Sequence, residues 1–226
     1  MKREIIITSD GSTTIHLPEW DEQYHSKYGA IQESYHVFIK NGLELFDSCS
    51  KISILEIGLG TGLNCLITFL EARKNNLKIE YTGVEAYPVK QSEIKNLNYI
   101  GQLKAVADQH IFDKIHSFSW NKKHDLSDSF ALLKKEGFIE DIKEVNNYNL
   151  IYFDAFGAQV QPELWTPSIF KKMYDALQQN GILVTYSAKG SVRRAMQEAG
   201  FEVERLEGPP GKREMLRATK KMKTDN

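Results

Sequence analysis

The chain has 226 residues, of which 41% are hydrophobic and 26% are charged, with 15 Gly and 6 Pro. These values are typical of one globular domain and exclude a disordered or fibrous chain. The formal net charge of −1 excludes a uniformly basic surface, but residues 171–226 carry 12 Lys and Arg against 7 Asp and Glu. This local excess indicates either a solvated face with a lysine-rich tail or a surface for a large anionic partner.

The cysteines and histidines predict no metal site. Cys49 and Cys65 lack the CxxC spacing of zinc and redox motifs, so we expect buried small hydrophobic side chains and a reducing, cytoplasmic setting. None of the six histidines has ligand spacing: His16, His25, His36, His110, His116 and His124. No signal peptide and no apolar run of about 18 residues is present, so we expect a cytoplasmic monomer without a membrane partner.

The predicted elements begin with an N-terminal extension over residues 1–50. Two β-prone runs, 4–8 and 13–17, flank Asp10-Gly11 and predict a hairpin. Apolar residues at helical spacing then predict an amphipathic helix from Ile31 to Phe46. We expect this extension to lead into the main domain.

A main domain is predicted over residues 51–219, followed by a lysine-rich tail over 220–226. Short apolar runs at 52–57, 79–84, 150–153 and 181–186 alternate with helical patterns, which is typical of a doubly wound, mostly parallel α/β sheet. Runs at 201–206 and 214–218 flank Gly-Pro-Pro-Gly and predict a final antiparallel hairpin. Strand and helix signals compete over 101–149.

Three predicted strands end in acids: Glu56, Glu85 and Asp154. Ligands of such sheets bind beyond the carboxyl ends of the strands, so these carboxylates are candidate site residues. Glu85 lies where an acid accepts hydrogen bonds from ribose hydroxyls. An isolated Asp154 could equally be a helix cap or a loop carboxylate.

The sequence of the glycine turn, residues 58–62, distinguishes between two classes of cofactor. Its glycines at 58, 60 and 62 depart from the G-x-G-x-x-G spacing of nicotinamide-binding proteins, and Glu56 precedes them. A carboxylate there repels a pyrophosphate but attracts the ammonium and sulfonium of S-adenosylmethionine. The turn therefore predicts a methyltransferase, and a tight strand-to-helix connection is the structural alternative.

Several longer motifs carry a family resemblance. The motifs are Gly58-Leu59-Gly60-Thr61-Gly62-Leu63-Asn64, Asp154-Ala155-Phe156, Gln161-Pro162-Glu163-Leu164-Trp165, Ser187-Ala188-Lys189-Gly190-Ser191-Val192-Arg193-Arg194 and Gly211-Lys212-Arg213-Glu214-Met215-Leu216. Together they resemble the MnmC-like methyltransferases, which methylate the 5-aminomethyl group of the wobble (2-thio)uridine of tRNA. The resemblance implies a Rossmann-like methyltransferase fold with a mostly parallel seven-stranded sheet and a C-terminal antiparallel hairpin. The length resembles the stand-alone, MnmD-type form without the flavin-dependent domain.

The resemblance also implies site residues. The expected cofactor contacts are Glu56, Gly58, Gly60, Thr61, Gly62, Asn64, Glu85 and Asp154, with Asp154 also meeting the acceptor amine as the catalytic residue. For adenine we prefer Glu136, with Asp125 and Asp141 as alternatives. Phe156 and Trp165 are candidates for stacking on the base or for the core, and Lys189, Arg193, Lys212 and Arg213, beside Arg194, are candidates for phosphate contacts.

Three other functions remain as alternatives. A methyltransferase for a small-molecule or protein amine would share the cofactor residues but would not need the basic C-terminal segments. A nicotinamide-dependent oxidoreductase conflicts with the glycine spacing. A non-catalytic tRNA-binding module would leave the three strand-end acids without a common purpose.

Overall fold

The computed structural model describes residues 2–46 and 51–221 and shows two β-sheets, with helices packed against the larger one. The N-terminal sheet is antiparallel and contains β1 (Glu4–Ile7), β2 (Thr13–Leu17) and β3 (Glu22–Gln23). The predicted hairpin is therefore confirmed, and a third short strand extends it. Cys49 lies outside the described residues, as do residues 222–226 of the predicted tail.

The predicted helix from Ile31 to Phe46 is wrong in its continuity. The chain forms an α-helix, α1 (Ala30–Ser34), which widens into π-helical turns over Tyr35–Lys40. It stops before Gly42, whose φ of −127° and ψ of −83° are not helical, and a 3₁₀ turn follows at Leu43–Leu45. Apolar spacing predicted the helical character correctly, but the local backbone interrupts the helix.

The larger sheet has eight strands. They are β4 (Lys51–Ile57), β5 (Lys78–Glu85), β6 (Lys123–Ser127), β7 (Phe130–Glu136), β8 (Tyr148–Phe153), β9 (Leu177–Thr185), β10 (Glu202–Glu207) and β11 (Glu214–Thr219), in the spatial order β10-β11-β9-β8-β4-β5-β7-β6. The five central strands, β9 to β7, are parallel. The expected C-terminal antiparallel hairpin is confirmed, because β10 pairs with β11 and β11 with β9.

The prediction of seven strands in the sheet is one strand short. Strand β6 pairs antiparallel with β7 at the edge of the sheet, within the segment where strand and helix signals competed. Its sequence, Lys-His-Asp-Leu-Ser, is mostly polar because an edge strand with exposed side chains needs little apolar surface. A polar edge strand carries no alternating pattern that would reveal it in the sequence.

Helices cover both faces of the larger sheet. They are α2 (Leu63–Lys74), α3 (Gln91–Ile94), α4 (Tyr99–Gln102), α5 (Gln109–Ser117), α6 (Pro167–Ala176) and α7 (Gly190–Glu198). Ile54 of β4 packs in the apolar layer that includes residues of α2 and α5, and the adjacent Leu55 packs in the layer of α6 and α7. Successive strand residues face opposite sides, so parallel strands with both faces covered read as continuous apolar runs.

The start of the predicted lysine-rich tail belongs to the packed fold. The Nζ atom of Lys220 is buried and donates to Leu177 O at 2.7 Å and to Asn146 Oδ1 at 2.9 Å. Lys221 pairs with Glu202 at 2.8 Å. Placing Lys220 in a solvated tail was therefore wrong, because charge counting does not show which lysines are buried. Within the described part of the chain, no helix is long and apolar enough to cross a membrane.

Candidate functional site

One large cavity lies at the carboxyl ends of the central parallel strands, with a volume of about 1310 Å³. Strand order reverses beside β4: the next strand in the chain, β5, lies on one side of it, and the later strand β8 lies on the other. Residues of the glycine turn, of the N-terminal sheet and of the loop between β10 and β11 also line the cavity. Such a reversal point is where open α/β sheets bind their ligands.

The glycine turn has a backbone that only glycine adopts without strain. Gly58, Gly60 and Gly62 have φ angles of 85°, 48° and 73°. A Cβ atom on Gly58 would lie 2.7 Å from the carbonyl oxygen of Asp154, so a side chain there would push β4 and β8 apart. Gly58 and Gly60 line the cavity, whereas Thr61, Gly62 and Asn64 do not.

Glu85 is placed at the cavity by two backbone donors. Its Oε2 accepts from Gly60 N at 2.9 Å and its Oε1 from Tyr87 N, also at 2.9 Å. Glu136 is its register partner at the end of β7, and both carboxylates line the cavity. Each still has free lone pairs for hydroxyl or amino donors of a ligand.

Only one of the three acids considered for adenine lines this cavity. Glu136 does so, whereas Asp125 lies on the exposed edge strand β6, beside a separate small cavity. Asp141 accepts from Phe138 N at 3.3 Å at the start of a 3₁₀ turn. The geometry therefore favours Glu136 over the other two.

Asp154 and Glu56 are connected through one amide. The Nδ2 atom of Asn64 donates to Asp154 Oδ2 at 2.8 Å and to Glu56 Oε1 at 2.9 Å, and its Oδ1 accepts from Ser34 Oγ at 2.6 Å. Tyr81 donates to Glu56 Oε2 at 2.8 Å. Asp154 lines the cavity, but Glu56 is fully buried behind it. Direct cofactor contact by Glu56 or Asn64 is therefore corrected to a positioning role.

Burial sets the protonation of both carboxyl groups. It raises the pKa of Asp154 to about 7, and the Glu33 carboxylate also raises it, while the bond from Asn64 and the charge of Lys212 lower it. Burial raises the pKa of Glu56 well above its ordinary value. Asp154 thus exchanges its proton near neutral pH, as a proton acceptor in this range must.

Lys212 lines the cavity and is held there by two neighbours, and its contact with a phosphate stays a prediction. Its Nζ atom is 2.8 Å from Glu33 Oε1 and 3.7 Å from the centroid of the Tyr186 ring. The other basic candidates differ from one another: Lys189 is exposed at the cavity, Arg213 is exposed outside it, and Arg193 is half-buried with no partner at its Nε. Arg194 is exposed too, so Lys189, Arg194 and Arg213 are the accessible cations among these candidates.

The two aromatic candidates have different surroundings. Phe156 lines the cavity and packs edge-to-face against Tyr24 and Trp20, at centroid distances of 5.0 and 5.8 Å. Trp165 is 5% exposed, and its Nε1 donates to Phe156 O at 2.8 Å. Trp165 cannot stack on a base from this position, so that prediction is wrong and its core alternative holds.

Thr61 and His25 fix the N-terminal extension to the glycine turn. Thr61 is buried, and its Oγ1 lies 2.7 Å from His25 Nε2 and accepts from Tyr99 at 3.0 Å. Burial lowers the pKa of His25 to about 4, so its ring is neutral at pH 7. Direct cofactor contact by Thr61 is therefore corrected to support of the turn.

Within residues 2–46 and 51–221, no three His, Cys, Asp or Glu side chains are grouped as metal ligands would be. Cys65, which was predicted to be a small buried hydrophobic side chain, is fully buried. Burial raises the pKa of its thiol well above the ordinary value.

Comparisons with known proteins agree with this geometry. A family model described as S-adenosyl-L-methionine-dependent methyltransferase matches residues 120–221. The tRNA 5-methylaminomethyl-2-thiouridine biosynthesis bifunctional protein MnmC of Cupriavidus metallidurans is 28% identical, over 94% of this chain and 33% of that relative. MnmC of Idiomarina loihiensis is 27% identical, over 87% of this chain and 35% of the relative. The crystal structure of MnmC2 from Aquifex aeolicus matches with a TM-score of 0.78 and 25% identity, over 97% of this chain and 70% of that one. The chain is thus similar to the MnmC proteins over most of its own length.

This MnmC-like chain spans about one third of the length of the bifunctional MnmC relatives, which are covered to 33% and 35%. Their methyltransferase domain is the part that it matches. The methyltransferase fold expected from the sequence is confirmed by the match to MnmC2.

The cavity fits S-adenosyl-L-methionine, the cofactor named in the description of the matching family model. Carboxylates at the ends of β5 and β7 suit the ribose hydroxyls and the adenine amino group. The glycine turn presents backbone without side chains, and Asp154 supplies negative charge where positive groups of the cofactor and the acceptor would meet. Glu85 and Glu136 would hold the cofactor at one end of the cavity.

Sequence reasoning missed the part of the MnmC-like site that the N-terminal extension supplies. Tyr24, Trp20 and Glu33 line the cavity, as does Tyr186 after β9. Trp20, Tyr24 and Glu33 stand outside the predicted strands and glycine motifs, and Tyr186, the last residue of the run at 181–186, belongs to none of the family motifs, so no local signal singles them out.

Proposed function

We propose that this protein transfers a methyl group from S-adenosylmethionine to the 5-aminomethyl group of the wobble (2-thio)uridine of tRNA, giving 5-methylaminomethyl-(2-thio)uridine. The observation that carries the proposal is the position of Asp154, a carboxyl group with a pKa of about 7 on the wall of an acidic cavity in an MnmC-like fold. In this proposal the domain over residues 51–219 holds the reacting groups, and the N-terminal extension closes one side of the cavity with its described residues, 2–46.

The charges of the cavity suit an amine as acceptor. When bound, S-adenosylmethionine supplies an electrophilic methyl group on a positively charged sulfur. The acceptor nitrogen gains positive charge as it takes the methyl group, and a fixed carboxylate beside it stabilises that charge. Asp154 is the carboxylate that lines the cavity next to the glycine turn. Much of the remaining rate enhancement comes from holding the two reactants in line.

Asp154 is also the group that takes up the proton that the acceptor amine must lose. An ammonium group has no free lone pair, so the acceptor must lose a proton before or during methyl transfer. The Asp154 carboxylate takes this proton and passes it to solvent through the open cavity. Because the pKa of Asp154 is about 7, the carboxylate form is present above pH 7 and is lost as the pH falls. Methyl transfer should therefore rise through neutral pH.

The accessible surface around the cavity suits an anionic partner that presents one base. Lys189 is exposed at the cavity and Arg213 on the loop beside it, where they would neutralise phosphates of the anticodon arm. Phe156 and Trp20 present aromatic surface at the cavity for an extruded base. A tRNA substrate would also place the protein in the cytoplasm.

The test is methyl transfer to tRNA that lacks the final wobble methylation. Purified protein, isotopically labelled S-adenosylmethionine and such tRNA are incubated, and the digested nucleosides are analysed by mass spectrometry. We expect label in 5-methylaminomethyl-(2-thio)uridine, and none with fully modified tRNA as the matched control. Labelling of a small-molecule or protein amine, with unlabelled tRNA, would contradict the proposal and support the alternative acceptor.

A further inference from the structure

The Lys212 ammonium is fixed within the cavity from two sides. It lies 2.8 Å from Glu33 Oε1 and 3.7 Å from the centroid of the Tyr186 ring, which it faces as a cation over an aromatic surface. Its side chain is 32% exposed, whereas most other lysines in ion pairs of this chain are more than half exposed. The ion pair is thus enclosed by neighbouring side chains, unlike a solvent-exposed ion pair.

The Glu33 carboxylate is held as firmly as its partner. Its side chain is 7% exposed, and its Oε2 accepts from Ser26 N at 2.8 Å. On the other side, the residue before Lys212 is Gly211, at a φ of 83°, where a Cβ atom would lie 2.2 Å from the Tyr28 ring. Both ends of the ion pair are therefore fixed, and the pair joins helix α1 to the loop between β10 and β11.

Asp154 shares this cavity with both members of the pair. Tyr186, which carries the Lys212 ammonium on its ring, donates its hydroxyl hydrogen to Ala155 O at 2.9 Å, next to Asp154 in the chain. The positive charge of Lys212 lowers the pKa of Asp154, and the negative charge of Glu33 raises it. A positive and a negative group thus act on one carboxyl group from fixed positions.

We propose that Lys212 and Glu33 form a positioning pair that sets the protonation of Asp154, with Lys212 favouring the carboxylate and Glu33 limiting that effect. Among the other ionisable side chains, Glu22 on β3, Glu85 on β5, Tyr186 after β9 and Lys189 before α7 line the cavity, and Glu56 on β4 lies behind its wall. Of these, Glu56 is separated from Asp154 by the Asn64 amide, and Glu85 is held by backbone donors. The purpose of the pair rests on the proposed function, since Asp154 must be ionised to accept a proton.

Two single substitutions distinguish this role from a structural one, because they shift the pKa of Asp154 in opposite directions. Lys212→Met keeps a stem over the Tyr186 ring but removes the charge, so the pKa of Asp154 rises. Glu33→Gln keeps an oxygen for the Ser26 N–H but removes the opposing charge, so the pKa of Asp154 falls. We expect each shift to be about one pH unit, and Lys212→Arg to stay near the wild-type value.

The measurement is the titration of the Asp154 carboxyl carbon by NMR in ¹³C-aspartate-labelled protein, with Asp154→Asn to assign the signal. It needs no substrate, so its result stands whether or not tRNA is methylated. The double variant Lys212→Met with Glu33→Gln should titrate close to wild type, because both charges are removed together. Shifts in the same direction in the two single variants, or no shift, would overturn the proposal.

The pH dependence of methyl transfer provides a second readout. If the proposed function holds, the acidic limb of the kcat/KM profile moves to higher pH in Lys212→Met and to lower pH in Glu33→Gln. An NMR shift without any tRNA methylation by wild type would support the pair and contradict the proposed substrate. Tm measurements on each variant confirm that the proteins compared are folded, and Glu33→Gln, with its opposite predicted shift, supplies the test should the Met variant not fold.

Discussion

Asn64→Ala is the substitution that most directly tests the network behind the cavity. In the wild type the Asn64 side chain makes three hydrogen bonds, with Ser34, Glu56 and Asp154, at 2.6, 2.9 and 2.8 Å. Its side chain is 1% exposed, so no water replaces those partners without rearrangement. The substitution removes all three bonds and leaves two carboxyl groups and a hydroxyl short of a partner.

The expected cost follows from that count. A net contribution of about 1 kcal/mol per hydrogen bond gives a loss of about 3 kcal/mol in the free energy of unfolding. For a chain of this length, that loss lowers Tm by about 6–12 °C. The matched control is Ser34→Ala, which removes only the bond to Asn64 and should cost about 1 kcal/mol.

Urea unfolding of the two variants and the wild type measures this difference. If Asn64→Ala costs no more than Ser34→Ala, the bonds to the two carboxyl groups contribute nothing and the network reasoning is refuted. The pKa of Asp154 should also rise in Asn64→Ala, because the amide bond lowers it in the wild type. A falling value would contradict the same reasoning.

Three further predictions follow from where the structure places the candidate residues. Glu85→Gln should weaken S-adenosylmethionine binding about 10-fold or more in calorimetry, because it loses charge-assisted hydrogen bonds. Glu56→Gln, which lies behind the cavity wall, should change the affinity less than about 3-fold. Equal losses of affinity in the two variants would restore Glu56 as a direct cofactor contact. Replacing Lys189 and Arg213 together by Ala should reduce the magnitude of the salt slope of tRNA binding by about 1 per residue, and an unchanged slope would exclude them as phosphate contacts. Trp165→Phe should lower Tm by about 4–8 °C through the lost indole bond and packing, with cofactor affinity unchanged; a selective loss of tRNA binding would return it to the substrate site.

The sheet, the glycine turn and the position of Glu85 at the cavity were predictable because their signals are local. Parallel strands buried on both faces leave continuous apolar runs, and a turn with left-handed angles requires glycine at 58, 60 and 62. The acid at the end of β5 was found by its distance from that turn. In each case the residues that carry the signal are close together in the chain.

The surroundings of Lys212 and Trp165 were predicted less well, because the residues that contact each other there are distant in sequence. Lys212 pairs with Glu33, 179 residues away, and no spacing rule relates them. Trp165 and Lys220 show that an aromatic or a lysine near a strand end does not reveal its own burial. Strand β6 escaped prediction because an exposed edge strand need not be apolar.

The central claim is that Asp154 acts on the acceptor amine and not mainly on the cofactor. Asp154→Asn keeps the shape and an oxygen for the Asn64 amide, so the cavity wall is retained. The decisive measurement is kcat for methyl transfer together with the Kd for S-adenosylmethionine, in wild type and in this variant. We predict a fall in kcat of about 100-fold or more, typical of a lost proton acceptor, with Kd changed less than about 3-fold. An equal loss in kcat and in cofactor affinity would contradict the claim.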